Sequence, residues 1–430
     1  VGNSSDTYFH EVGATVNSQS AGESGVLMRE FMISPMHTFI YEWDESGQSW
    51  SNPYYYEIAE TGEGFMLTTD NGTTGTIEQD GQIINYDVVL ELNQHGDPNT
   101  ASYGWNLKSN PYSAALDWDA VWTRESSSFA DLNSTIYVLN DGNHNYASFN
   151  AQTGVGLGMT KDVQVGQGFW VQSAASSWPS ANTFTLKPED RVHSNAAFLK
   201  DVTSGILSLS VQGNNSQDLL NIMFRDYGTS SYDRFIDVHK WDSPYEDATE
   251  MWTIAEDQSR LSSNVLGPLG NAHMEVPAAF KCSASGEYEI SASDIKSFEG
   301  SVEIYIEDLL TGGEWHNLIE NPVYTFNATP NDPSNRFVIH FFGITGVANP
   351  MTEVADIRIW SNGNDAFIVN NSDEVIKEYA VYDMLGREVK RGDMPVSTLN
   401  KIHISENSAY YIVKAITKDR VYSEKILITK

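Results

Sequence analysis

Val381-Tyr382-Asp383-Met384-Leu385-Gly386-Arg387-Glu388-Val389 reads as two short strands around a tight turn, with Gly386 free to take the positive φ such turns need. Working outward, Ile357 and Ile359 alternate with Asp356 and Arg358, and Ile402 and Ile404 alternate with Lys401 and His403. This period of two marks strands with one buried face. Residues 410–416 and 421–428 flank the polar turn Thr417-Lys418-Asp419-Arg420 and form a second hairpin. About seven strands packed into residues 354–430 imply a small immunoglobulin-like sandwich.

Charge separates this tail from the rest. The chain has 430 residues, with 25 Lys+Arg against 58 Asp+Glu. Residues 354–430 hold 11 of each, so the net charge of -33 belongs wholly to residues 1–353. Such a surface repels nucleic acid and anionic lipid, which argues against DNA and RNA as partners, and it favours solubility or divalent-cation binding. A lone cysteine, Cys282, excludes an intramolecular disulfide framework and any multi-cysteine metal site. It reads as a small buried residue. No apolar run approaches the roughly 18 residues a membrane span needs. The sequence opens at Val1 without a signal peptide, and we expect a fragment or processed chain whose export signal lies upstream.

Length allows two to four domains at roughly 100–200 residues each. Residues 1–190 are rich in aromatic, β-branched, Gly, Asn and Ser residues, with little helical periodicity. Strands are expected at 26–33, 38–43, 54–58, 64–69 and 86–92. A second block, 191–342, again reads as strands, with one short helix at 293–298. The expected architecture is all-β: two jelly-roll-like sandwich domains at 1–190 and 191–342, a linker at 343–353, and the terminal sandwich at 354–430.

The tail resembles the type A C-terminal sorting domain of the Bacteroidetes type IX secretion system. Its blocks here are Ile359-Trp360-Ser361, the hairpin quoted above, Tyr411-Ile412-Val413-Lys414 and the strand ending on Lys425 to Lys430. Ala409 stands where that family has glycine, and Trp360 where it has tyrosine. The resemblance implies recognition by the outer-membrane translocon and its shuttle barrel through Asp383, Leu385, Gly386, Arg387, Tyr411, Val413, Lys414, Lys425 and Lys430. It also implies cleavage within 343–353 by a cell-surface sortase-like peptidase, and a secreted or cell-surface destination by way of the periplasm and outer membrane. Upstream, Gly104-Trp105-Asn106-Leu107-Lys108-Ser109-Asn110-Pro111-Tyr112, Leu116-Asp117-Trp118-Asp119, Ile136-Tyr137-Val138-Leu139-Asn140 and Val165-Gly166-Gln167-Gly168-Phe169-Trp170-Val171 are similar to a module found ahead of the sorting domain in large Bacteroidetes surface proteins. Ser109 and Ser113 depart from its pattern. That module implies no activity, and gliding motility, adhesion and polymer degradation all stay open for the whole protein.

Chemistry-bearing motifs are few. There is no His-Glu-x-x-His helix, nucleophile elbow, phosphate loop or dinucleotide fingerprint. The sequence therefore reads as non-enzymatic, without catalytic residues or a cofactor. His10, His37, His144, His239 and His340 are scattered without ligand spacing and read as structural. The oxygen-rich loops 140–143 and 331–335 make Asp141, Asn143 and Asp332 weak calcium candidates, although turn chemistry explains them equally well. Trp43, Trp50, Trp105, Trp118, Trp122, Trp170, Trp178 and Trp241 carry the alternative reading, a polysaccharide-binding adhesin with calcium-supported loops. They read first as sandwich filling.

Overall fold

A computed structural model describes residues 8–18, 24–32, 38–69, 76–95, 103–126, 132–140, 142–173, 182–192, 205–269, 273–298, 302–312, 314–343, 357–362, 364–370, 374–395, 399–418 and 420–428. The fold is all-β. Contacts group the chain into two units, Val1–Asp201 with Asn214–Leu219 and Asp233–Glu250, and Val202–Gly213 with Leu220–Tyr232 and Met251–Lys430. Residues 214–219 and 233–250, placed in the second domain by the sequence, thus join the first unit. The linker expected at 343–353 lies, beyond Gly343, outside the described residues.

The first unit is built from small sheets. Trp105–Ser109, Gly168–Ser173, Leu132–Asn140, Asn145–Asn150 and Val155–Leu157 pair in that order. Tyr8–Gly13, Gly64–Thr69, Thr38–Asp44 and Ser49–Ser51 form another. Three of the recognisable blocks lie largely in the first of these sheets, 116–119 lies in strand Ala115–Asp117 and the helix after it, and their residues are mostly buried. Trp118, Phe169, Val171, Phe184 and Leu186 share one core cluster. The 233–250 segment is held by part-buried polar bonds, the Ser134 hydroxyl and the Asn150 amide both donating to the Phe235 carbonyl. Lys240, itself buried, is 2.7 Å from the Asp218 carboxylate.

Four local readings are corrected. Strand 26–33 stops after Gly25–Leu27, and Met28–Phe31 is a 3-10 turn. The tyrosine-rich 54–58 run is not a strand up to Glu57: Tyr54 to Glu57 close a turn, Glu57 N–H donating to the Tyr54 carbonyl, and pairing begins at Ile58–Glu60. Tyrosine favours strands only when there is a half-buried surface to pack on, and Tyr54 and Tyr56 are exposed. Trp118–Glu125 is an α-helix that the strand-rich composition concealed. Asp117 caps it, accepting from Ala120 N–H at 3.2 Å. The short helix expected at 293–298 is the 3-10 turn Ile295–Phe298.

Most of one long sheet belongs to the second unit and folds over a single core cluster. Its order runs Glu314–Asn317, Val302–Asp308, Phe337–Gly343, His273–Lys281, Glu250–Ile254, Arg260–Leu266, Ser216–Phe224, Ile206–Gly213, Gly286–Ser293 and Val323–Ala328. Leu209, Ile222, Val276, Ile290, Ile304, Phe326, Ile339 and Phe341 come from strands along its whole length and pack together. Cys282 is buried in this cluster, and burial pushes its thiol up. The tail forms two further sheets, Ile357–Asn362, Asp365–Asn370 and Leu399–His403, and Glu388–Asp393, Glu378–Asp383, Ala409–Ile416 and Val421–Ile428. Ile357, Ile359, Ile368, Ile402 and Ile404 from the first meet Val381, Val413, Ala415, Ile426 and Ile428 from the second. The alternation read from the sequence therefore produces a sandwich with its own core.

Candidate functional site

The tail hairpin is fixed by one carboxylate. Asp383 Oδ1 accepts from Leu385 N–H at 3.0 Å and Arg387 N–H at 2.9 Å, while Oδ2 accepts from Arg387 Nε at 3.0 Å. The Arg387 backbone N–H is the largest cause holding this carboxyl below its usual range. Gly386 completes the loop at φ 79°, which a side chain at that position strains. The consequence is a rigid tip with its side chains outward: Leu385 is 94% exposed and Met384 55%.

The other sequence-selected tail residues divide by strand parity. Tyr411 and Val413 are buried in the sandwich core, and the Tyr411 hydroxyl donates to the Asn407 carbonyl at 2.8 Å. Lys414 and Lys425 lie on the opposite face. Lys414 Nζ sits 5.0 Å from the centre of the Tyr382 ring and Lys425 Nζ 4.2 Å from that of Tyr410. On the same face Arg391 bridges Glu378 at 3.0 Å and Glu388 at 2.8 Å. The registers Tyr382 opposite Ile412 and Ile412 opposite Lys425 place these groups across three neighbouring strands. Val421–Ile428 ends the sheet order, and Lys430 lies outside the described residues.

The first-unit motif turns inward instead. Asn110 is fully buried; its amide reaches the carbonyls of Ala114, Val163 and Gln164 at 2.9 to 3.0 Å, and its Oδ1 accepts from Tyr112 N–H at 3.0 Å. The Tyr112 hydroxyl donates to Leu186 O at 2.7 Å and Trp118 Nε1 to Ser134 O at 2.9 Å. Ser109 donates to Glu63 O at 2.8 Å and fits because residue 13 is glycine: a Cβ there would lie 1.9 Å from the Ser109 hydroxyl. Trp170 Nε1 donates to Glu11 Oε1 at 2.8 Å, and burial pushes Glu11 up to about 8. Trp43, Trp50, Trp105, Trp170 and Trp241 pack edge to face on one another, with only Trp50 substantially exposed, at 41%. Trp178 lies outside the described residues.

The calcium candidates occupy turns. Asp332 accepts from Thr329 N–H at 2.9 Å and its hydroxyl at 2.8 Å, and sits 3.5 Å from Arg336. Asn143 N–H donates to the Asn140 carbonyl, and Asp141 lies outside the described residues. A set that sequence spacing did not reveal is His273, Glu275 and His340, with one ligating atom from each lying within 4.8 Å of the others. Burial, its largest cause, lowers the basicity of both imidazoles, that of His340 to about 4.

The profile of one protein family, "Domain of unknown function (DUF8693)", matches residues 20–341. The chain belongs to the DUF8693 family. The DUF8693 match covers the inward-facing motif blocks and the long sheet up to Phe341, and ends ahead of the tail sandwich. No curated protein matches the chain. Among solved structures, "Central Fibronectin-III array of RIM-binding protein" is 11% identical over 48% of this chain and 96% of that one, with a TM-score of 0.13. "Biofilm associated protein - BSP domain" is 10% identical over 80% of this chain and 67% of that one, with a TM-score of 0.19. No helix among the described residues is long and apolar enough to cross a membrane.

Proposed function

We propose that residues 354–430 are a recognition signal for export across the outer membrane by the type IX secretion system, and that the DUF8693 region ahead of them is a non-catalytic stalk or spacer of a secreted or cell-surface protein. The observation that carries this reading is the hairpin tip: Met384, Leu385 and Arg387 stand out from a turn locked by Asp383, on a sandwich that has its own core. A large exposed leucine on a rigid turn contributes little to folding, and a binding partner gives it a use. The charged and aromatic face bearing Lys414, Lys425, Tyr382 and Tyr410 supplies a second contact area beside it. The translocon and shuttle barrel are the partners, and a sortase-like peptidase acts within 343–353.

Deleting the last strand is a poor test, because Ile426 and Ile428 belong to the sandwich core and their loss unfolds the tail. Surface substitutions separate recognition from folding. Leu385→Ser with Arg387→Ala leaves the thermal transition in place and leaves the chain in the periplasm of a host whose type IX translocon works. Normal surface delivery of that double variant contradicts the reading.

A further inference from the structure

His273–Lys281 pairs antiparallel with Phe337–Gly343 in a register that sets Glu275 opposite His340 and His273 opposite Phe342. Successive strand residues point to opposite faces. Ile339 and Phe341 enter the core, which turns His340 and Phe342 to the other face, and His273 and Glu275, two residues apart, share that face with them. His273 Nε2 consequently lies 3.0 Å from His340 Nδ1. Glu275 Oε1 is 3.7 Å from His273 Nδ1 and 3.9 Å from His340 Nδ1. A zinc ion held tetrahedrally at about 2.0–2.1 Å spaces its ligand atoms by roughly 3.4 Å. One ligand atom from each of the three residues lies within 4.8 Å of the other two, so closing on an ion takes movements on the order of an ångström.

The surroundings prepare the imidazoles for this role. His340 Nε2 is 3.0 Å from Glu307 Oε2. An ionised carboxylate only accepts, so Nε2 carries the hydrogen and the lone pair sits on Nδ1, directed at His273. A carboxylate behind a histidine in this way fixes the tautomer and the ring orientation of metal-ligating histidines. Trp315 stacks on His340 with ring centres 3.8 Å apart, and Phe342 on His273 at 4.2 Å. His340 is 2% exposed and Glu275 60%, so the cluster is rigid at its base and opens to water at the carboxylate.

We propose that His273, Glu275 and His340 bind a divalent cation of the zinc class, with Glu307 orienting His340 and water completing the coordination. As the side chains stand, His273 Nε2–H donates to His340 Nδ1; the cation takes the place of that hydrogen, and the His273 proton moves to Nδ1. Two imidazoles and one carboxylate suit zinc, cobalt, nickel or copper, whereas calcium and magnesium require more oxygen ligands than the set provides. The proposal does not rest on the sorting role proposed for the tail, although Phe367 of the tail packs against Phe342 and His273.

The test uses the full chain stripped with a chelator and titrated with Co(II), whose visible bands report coordination number. The expected result is about one equivalent of Co(II) with the intense bands of a four- or five-coordinate site, displaced by Zn(II) and not by excess Ca(II). Glu307→Gln weakens binding about tenfold or more through loss of ring orientation, while Glu275→Gln and His273→Ala remove the four-coordinate spectrum. His340 is buried, so the decisive variants are those at His273 and Glu275, each checked for unchanged circular dichroism. A six-coordinate aqueous spectrum with the native chain, or an unchanged spectrum in both variants, overturns the proposal.

Discussion

The Asn110 loop and the Asp383 hairpin are built on the same local chemistry and turn their neighbours in opposite directions. In each, a short side chain accepts the N–H two residues on, Tyr112 in the first and Leu385 in the second. Tyr112 is then fully buried with its hydroxyl bonded, whereas Leu385 stands almost wholly in solvent. The difference lies in what the turn holds up. Around Asn110 it closes a core and satisfies three carbonyls, and around Asp383 it presents side chains outward. A recognisable motif is therefore evidence of recognition only where its side chains leave the core.

The comparison breaks most visibly at Asn110. Asn110→Ala removes the amide that reaches the Ala114, Val163 and Gln164 carbonyls and the oxygen that accepts from Tyr112 N–H, and is expected to cost about 3 kcal/mol. Urea unfolding would measure it, and a change below about 1 kcal/mol would mean that the loop does not depend on this side chain.

Glu11 sharpens the inward-facing side through pH. Its carboxyl titrates near 4.5 when exposed in the unfolded chain and at about 8 in the fold. Between those values the folded state holds a proton that the unfolded state has lost. This contribution is complete below about pH 4.5 and is lost as pH rises through about 8, at up to roughly 1.4 kcal/mol per pH unit. Glu11→Gln removes that slope, and denaturation of both chains across the range checks it.

In the tail, Tyr411→Phe loses one part-buried hydrogen bond, for about 1 kcal/mol. Smallest of all, Leu385→Ser shifts stability by under about 0.5 kcal/mol. A calorimetric loss several times larger would place Leu385 in the folding of the hairpin and erase the contrast with Asn110.

The all-β class and the tail strands were legible because alternation at Ile357, Ile359, Ile402 and Ile404 survives as burial in a two-sheet sandwich. The hairpin was legible because Gly386 and Asp383 are local turn chemistry. The helix Trp118–Glu125 was hidden by its tryptophans and valine, although Asp117 ahead of Trp118, Val121 and Trp122 is a capped apolar stripe at helical spacing. Non-local pairing lay beyond the sequence. His273 and His340 are 67 positions apart and meet only through strand register. The local trace of that cluster was His273-Met274-Glu275, two ligand types spaced to share one strand face. The return of residues 233–250 to the first unit likewise depends on bonds such as Asn150 to Phe235, which no periodicity announces.

The most direct test follows the full chain in a host with a working type IX translocon and in the same host without one, comparing native protein with the Leu385→Ser, Arg387→Ala variant by surface proteolysis. The account predicts surface-exposed native chain only where the translocon works, and a folded variant held in the periplasm of both hosts. Native chain at the surface without the translocon, or a variant exported as well as the native chain, would contradict it.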